Sequence, residues 1–228
     1  MIFKIKLERD ELHRKIGGGI PEGAILLLEG EEGAGKSVVS QRFTYGLLKK
    51  GTKVTYISSE MDTKGFIKQM SSFNYDILDY LFDFSLLFIP VFPVTAKHVK
   101  GNLLKRLMSA GKLYENNVIV IDCISHLVGK EISNQEANNF VQFLKEMASL
   151  KKSFIITADP SITPENFLSL MRNMSDAYIR LEKKMIGSQI KRFMVVERYG
   201  GTKERVSDVI GFRVEPGIGF ILDISVMT

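Results

Sequence analysis

AILLLEGEEGAGKSVVSQRFTYGLLKKG, from Ala24 to Gly51, is the stretch on which the fold turns. Its first six residues are mostly aliphatic, too few for a helix, and bounded by Gly23 and Gly30. That pattern predicts a strand buried on both faces, as in parallel sheets. From Ser37 to Lys50 the apolar spacing is helical, and Gly51 supplies a C-terminal stop. Between strand and helix, GEEGAGKS (Gly30 to Ser37) fits the phosphate-loop pattern G-x-x-x-x-G-K-[ST]. Glycines enter backbone conformations that other residues adopt only at a cost, and they leave room for phosphate oxygens. The successive amides then form an anion-binding nest, reinforced by the positive end of the following helix.

These residues imply a nucleoside triphosphate, ATP with Mg2+. Gly30, Glu32, Gly33, Ala34 and Gly35 shape the cradle. Lys36 is expected to reach the β- and γ-phosphates, and the Ser37 hydroxyl to take a place on magnesium. The amides of Ser37 and Val38 would face the α-phosphate. A chance glycine-rich turn would satisfy the eight residues alone, but context argues against it. VIVID, from Val118 to Asp122, is another buried strand, and Asp122 stands at its carboxyl end, where open α/β sheets bind ligands. Asp122 is the second candidate for the magnesium site, reaching the ion through water. Glu60, after the strand KVTYIS (Lys53 to Ser58), is the candidate base for an attacking water. Thr157, ending SFIIT, is placed to sense the γ-phosphate through its hydroxyl.

Outward from the loop, short β-branched runs alternate with helical stretches. Helical patterns cover much of Thr63 to Asp83, then Gly101 to Tyr114, Asn134 to Leu150 and Glu165 to Met174, with a strand from Leu86 to Phe92. From Ala177 to Ile224 the chain instead reads as strands joined by tight turns at Ile186-Gly187-Ser188, Gly200-Gly201 and Pro216-Gly217. The expectation is one α/β domain over residues 1–228: a mostly parallel central sheet flanked by helices, with a C-terminal antiparallel extension.

Composition narrows the function classes. At 228 residues, 45% hydrophobic and 25% charged, the chain has the balance of a soluble globular protein. No run reaches the ~18 apolar residues a membrane helix needs; LLFIPVFPV, from Leu86 to Val94, carries two prolines. With no visible leader, a cytoplasmic location is the default expectation. The single cysteine, Cys123, excludes an internal disulfide and reads as a small core residue, and His13, His98 and His126 have no ligand spacing. A net charge of +5 suits either a soluble surface or an anionic partner. The basic cluster from Lys183 to Arg192 reads as a solvated hairpin, although it suits an acidic partner, nucleic acid or anionic lipid as well. The Phe-rich segment from Tyr75 to Phe92 is expected to be buried under the sheet.

IGGGIPEGAILLLEGEEGAGKS (Ile16 to Ser37), YISSE (Tyr56 to Glu60), VIVIDCIS (Val118 to Ser125) and GFRVEPGIGFILD (Gly211 to Asp223) resemble the RecA/KaiC-like ATPases over nearly the whole chain. The leader GGGIP-x-G is found chiefly in that group. Within it, KSVVSQRFTYGLLKKG and FIKQMSSFNYDI (Phe66 to Ile77) are similar to the accessory ATPase family of the archaeal motility filament, the archaellum. That resemblance implies a RecA-like ATP-binding domain assembling as a ring, a hexamer, at the cytoplasmic base of the filament. It would contact the motor ATPase and the membrane platform, lying peripheral to the membrane through those partners. It implies Gly30 to Ser37 as the phosphate loop, Asp122 as the magnesium-side aspartate and Glu60 as the catalytic glutamate. KaiC-type enzymes often carry two adjacent glutamates at that point; here the second is Met61. Related rings also bring a basic residue from the adjacent subunit to the γ-phosphate. In MVVERYGGTK (Met194 to Lys203), Glu197 falls where a lysine is expected, leaving Arg198 or Lys203 as substitutes.

Three classes follow: an assembly factor operated by nucleotide with slow or no turnover, a working KaiC/RecA-like ATPase with a mechanical or signalling role, and a DNA-binding relative. The last fares worst. The loop DPSITPEN after Ala158 carries two acids and no base, and no aromatic-studded basic groove is present, so no nucleic-acid partner is expected.

Overall fold

The computed structural model describes residues 1–91 and 103–223. Phe92, Val94, Gly101 and Ile224, which end or begin expected segments, lie outside the described residues, as does His98. In chain order the elements are β1 (Ile2–Lys4), α1 (Leu12–Lys15), β2 (Gly19–Pro21), β3 (Ile25–Gly30), α2 (Lys36–Lys49), β4 (Val54–Ser58), α3 (Thr63–Ser72), α4 (Leu78–Phe82) and β5 (Leu86–Pro90). Then come α5 (Leu103–Ser109), β6 (Val118–Asp122), α6 (Ile124–Val128), α7 (Asn134–Ser149), β7 (Ser153–Ala158) and α8 (Glu165–Met174). Four strands close the chain: β8 (Ala177–Ile186), β9 (Gln189–Tyr199), β10 (Val209–Glu215) and β11 (Gly219–Leu222).

Among the described residues, nine strands form one sheet in the order β11-β10-β9-β8-β3-β7-β6-β4-β5. From β8 to β5 every pairing is parallel; β8 to β11 pair antiparallel, as expected from the change of pattern at Ala177. The two-residue period of each central strand sorts its side chains into two cores. Leu26, Leu28, Val118 and Val120 join the core that holds Val39, Phe43 and Leu47 of α2. Ile25, Leu27, Ile119 and Ile121 join the opposite core, under Phe140 and Leu144 of α7 and Phe167 and Met171 of α8. Both faces are therefore apolar, which is why these strands read as unbroken aliphatic runs.

Two helical expectations are interrupted. The pattern from residue 63 to 83 splits because Asn74 takes a left-handed backbone (φ 57°) after α3, where Tyr75 N bonds back to Met70 O. The stretch before Tyr114 breaks at Ala110 and continues as a 3-10 turn, Gly111–Tyr114. Burial of the Phe-rich segment is also only partial. Tyr75, Ile77 and Leu86 are buried, whereas Phe82 is 80% exposed, on a short α4 that buries none of its residues, and Phe84 just beyond it is 74% exposed. The helix α6, directly after Asp122, has no counterpart in the sequence pattern. By contrast α7 begins where its sequence signal stands, with Ser133 and Glu136 forming a capping box. Among the described residues no helix is long and apolar enough to cross a membrane.

Because β3, β4, β6 and β7 run parallel, their carboxyl ends emerge on one edge of the sheet. The loops that follow them converge there.

Candidate functional site

The first of these loops leaves β3 at Gly30 and enters α2 at Lys36. Gly33 (φ 77°) and Gly35 (φ 102°) both hold left-handed conformations that favour glycine. At Gly35 space is lacking too, since a Cβ there would come within 2.9 Å of the Phe212 ring. Ala34 is buried in the core, while Glu32 is exposed at the rim and Val38 half-buried. Lys36 is buried, its Nζ donating to Gly30 O at 2.7 Å, Glu31 O at 3.0 Å and Asp159 Oδ2 at 3.2 Å.

Asp122, fully buried at the end of β6, is the hub of the site. Its Oδ1 accepts from Thr157 Oγ1 at 2.6 Å and from Ser37 Oγ at 3.3 Å, and its Oδ2 from Tyr56 OH at 2.6 Å. Burial, then the Asp122 charge and its hydrogen bond, push the Tyr56 hydroxyl well above its ordinary value, so it remains a donor. Ser37 and Asp122 are thus neighbours, as the phosphate-loop reading requires. The Thr157 hydroxyl, read from the sequence as a γ-phosphate sensor, is given to Asp122, which it supports.

A stitch between strand ends places Glu60. Ser59 N donates to Asp122 O, and Ser59 Oγ both accepts from Cys123 N at 3.0 Å and donates to Cys123 O at 2.9 Å. The same hydroxyl lies 3.2 Å from His126 Nδ1, and that nitrogen lies 3.6 Å from Glu60 Oε1. Burial, followed by repulsion from Asp122, raises the Glu60 carboxyl above its ordinary range; His126 and Lys36 oppose the shift. Met61 turns inward against the core. Glu60, His126, Ser37, Lys36, Asp159 and Arg192 all line one cleft of about 820 Å³.

Reading the sequence alone missed Asp159, His126 and Arg192. Asp159 follows β7 directly, so the strand-end argument used for Asp122 applies to it equally. His126 sits on the unforeseen α6. Arg192 belongs to the basic hairpin expected to be solvated; Lys183 there is exposed and Arg192 half-buried. Lys183 and Arg192 face each other across β8 and β9, and their side chains donate to Glu32 O (2.7 Å) and Gly33 O (3.0 Å) of the phosphate loop. The candidates for a trans-acting cation are placed less simply. Glu197 pairs with Arg180 at 3.0 Å, and the Arg198 guanidinium bonds the carbonyls of Arg172 and Ser175 within its own chain. Lys203 is exposed, and among the described residues it makes no ion pair.

The strand-ended cleft thus carries a glycine-rich loop, a buried lysine and a serine–aspartate pair. Residues 8–218 match the KaiC-type ATPase family. The chain is 39% identical to the archaeal flagellar ATP-binding protein FlaH of Methanocaldococcus jannaschii, over 98% of this chain and 97% of that protein. It belongs to the KaiC family of ATPases, among its FlaH members. FlaH of Methanococcus voltae is 34% identical, covering 97% of each chain. The crystal structure of the Methanocaldococcus jannaschii flagellar accessory protein FlaH superposes with a TM-score of 0.93 over 98% of this chain and 100% of that one. The KaiC-like protein PH0186 of Pyrococcus horikoshii, 19% identical, superposes at 0.75 over 98% of this chain and 100% of that one, which bears on the fold alone.

Proposed function

We propose that this chain binds ATP with magnesium in the cleft at the strand ends and serves the archaellum motor complex through that binding, with slow or no hydrolysis. The observation that carries the reading is the meeting of Ser37 and Asp122 at 3.3 Å beside a buried Lys36. Hydroxyl and carboxylate oxygens are the hard ligands magnesium prefers, and two protein oxygens suffice because the ion keeps several waters and phosphate oxygens. Ser37 would hold the ion directly, Asp122 through water, and Lys36 with the loop amides would hold the phosphates. Magnesium supplies charge neutralisation at the phosphates when bound. Residues 30–37 orient the triphosphate, and Tyr56 and Thr157 fix the Asp122 carboxylate in a single orientation. Its relatives are named archaeal flagellar ATP-binding proteins, which supports a place in archaeal motility; a homo-oligomeric ring, a hexamer, contacting the motor ATPase and platform at the inner face of the membrane is part of the same proposal.

Slow turnover is favoured by particular residues. Met61 stands where many relatives in the wider family have a second glutamate, and Arg198 is engaged within its own chain. Glu60 favours the second reading, a working ATPase, because its carboxylate lines the same cleft with a raised proton affinity suited to a base.

One experiment separates the two: MgATP binding, turnover and mass with and without MgATP, for the wild type, Lys36→Ala, Glu60→Gln and Asp122→Asn. The first reading expects tight binding, negligible turnover and a larger assembly in MgATP, all lost in Lys36→Ala. Turnover by the isolated protein near the ordinary enzyme value of about 10 s⁻¹, abolished by Glu60→Gln with binding intact, would overturn it.

A further inference from the structure

Resting on the reading of the cleft as a nucleoside triphosphate site, we infer that Arg192 is a phosphate-binding residue that the chain contributes to its own site. The β8–β9 hairpin is therefore part of the nucleotide-binding machinery and not only an edge of the sheet.

Strand register fixes where the residue stands. On β9, Arg192 is directly opposite Lys183 of β8 and directly opposite Phe212 of β10. Each neighbour meets the phosphate loop. Lys183 Nζ donates to Glu32 O at 2.7 Å, and the Phe212 ring fills the space where a Gly35 Cβ would be. Phe212 is itself buried and stacked on Phe220, with ring centroids 5.1 Å apart and planes 20° apart. The stem of Arg192 is thus held between two strands that are both packed on the loop.

What the side chain does there differs from what several other arginines of the chain do. Arg42 is spent on Asp10, Arg172 on Glu29 and Glu165, and Arg198 on helix-end carbonyls. Arg192 is pinned through Nε alone, to Gly33 O at 3.0 Å. Among the described residues neither terminal nitrogen of its guanidinium has a hydrogen-bond or ion-pair partner, although the residue lines the cleft beside Lys36 and Ser37. A planar fork anchored at one nitrogen, with two donor groups uncommitted, is suited to phosphate oxygens. Its pinning also means little side-chain freedom remains to be lost on binding. A loop strut would need only the Nε contact; the positive charge and the open fork are what a strut does not use.

The test is MgATP binding by the full chain as wild type, Arg192→Ala and Arg192→Lys, with inorganic tripolyphosphate as competitor and thermal unfolding without nucleotide. Lys36→Ala is the control for the site itself. The inference expects Arg192→Ala to weaken MgATP binding about tenfold or more. It also expects weaker competition by tripolyphosphate, partial recovery in Arg192→Lys, and nucleotide-free unfolding unchanged. If Lys36→Ala loses binding while Arg192→Ala keeps it, the site reading stands and this inference falls. A loss matched by earlier unfolding without nucleotide makes Arg192 a strut and overturns the inference too. No MgATP binding by the wild type removes the site reading and the inference together.

Discussion

Lys36 Nζ lies 3.2 Å from Asp159 Oδ2, and both side chains are more than nine-tenths shielded from solvent. Burial alone would raise the Asp159 carboxyl, but hydrogen bonds from Ser161 N and Oγ, together with Lys36, outweigh it and hold the group below its ordinary 3.8. Asp159 is consequently an anion at neutral pH, sharing the lysine that a triphosphate would claim. Asp159→Asn is expected to tighten MgATP binding severalfold by removing the competing charge, as read by calorimetric titration. Weaker binding would mean that Asp159 serves to aim Lys36 instead.

Glu60 titrates the other way. Its folded value is raised above 4.5 by burial and by Asp122, so its contribution to stability is full at low pH and is lost as pH rises through the folded value. Glu60→Gln should therefore gain stability relative to wild type as pH climbs from about 4 into the range above the ordinary carboxylate value. Any hydrolysis that depends on Glu60 as a base should rise over the same range. Chemical denaturation of both proteins across that interval measures the first effect, and a pH–rate profile the second. Parallel stability curves would remove Glu60 from the account.

The donors to Asp122 carry the next prediction. Removing a hydroxyl leaves a buried carboxylate oxygen with one partner fewer, a loss of about 1.5–3 kcal/mol for a hydrogen bond to a charged group. Tyr56→Phe is expected to cost that much in urea unfolding and, by freeing Oδ2, to weaken magnesium-dependent more than magnesium-free nucleotide binding. Thr157→Val should behave alike through Oδ1. Equal losses with and without magnesium would point to a purely structural pair.

How far this site could be read beforehand depended on whether the information was local. The phosphate loop declares itself because glycine spacing, lysine and serine are contiguous, and strand and helix flank it. Asp122 and Glu60 were reachable by one rule: polar residues after buried strands gather at the carboxyl edge of a parallel sheet. Asp159 obeys that rule, yet Thr157 two residues earlier offers a competing hydroxyl that draws the same reading. Arg192 is different, since it meets Gly33 across 159 positions of sequence. Its pairing with Lys183 follows from a hairpin turning at Gly187, but nothing local says that the hairpin lies over the loop. Likewise the break at Asn74 depends on how Tyr75 is captured in the core, beside Tyr45 and Arg9. Periodicity alone does not contain that.

Gly35 offers a sharper test of the loop than a charge substitution does. Its φ of 102° is one objection to alanine, and the Phe212 ring, 2.9 Å from where the added methyl would stand, is another. Gly51 shares a positive φ (77°) but would meet nothing within 4 Å. Gly51→Ala should therefore cost about 1–2 kcal/mol, the backbone penalty alone, and leave nucleotide binding intact. Gly35→Ala should cost more and lose binding. Similar behaviour of the two variants would show that Phe212 yields easily.

The helix that carries Lys36 and Ser37 is tied to the N-terminal arm by a buried ion pair. Arg42 Nε and Nη2 each lie 2.7 Å from the Asp10 carboxylate, and Nη1 donates to Ile5 O at 3.0 Å. Arg42 is fully buried, so removing Asp10 leaves an uncompensated charge in the core. Asp10→Ala and Arg42→Ala are each expected to destabilise by about 3–5 kcal/mol. An apolar double replacement, Asp10→Leu with Arg42→Met, should recover much of that loss, because neither charge is then stranded. A double-mutant cycle by denaturant unfolding, with Asp10→Leu and Arg42→Met also made singly, measures the coupling. If the double variant is as unstable as the sum of the singles, the coupling is zero, and Asp10 and Arg42 contribute independently rather than as a pair.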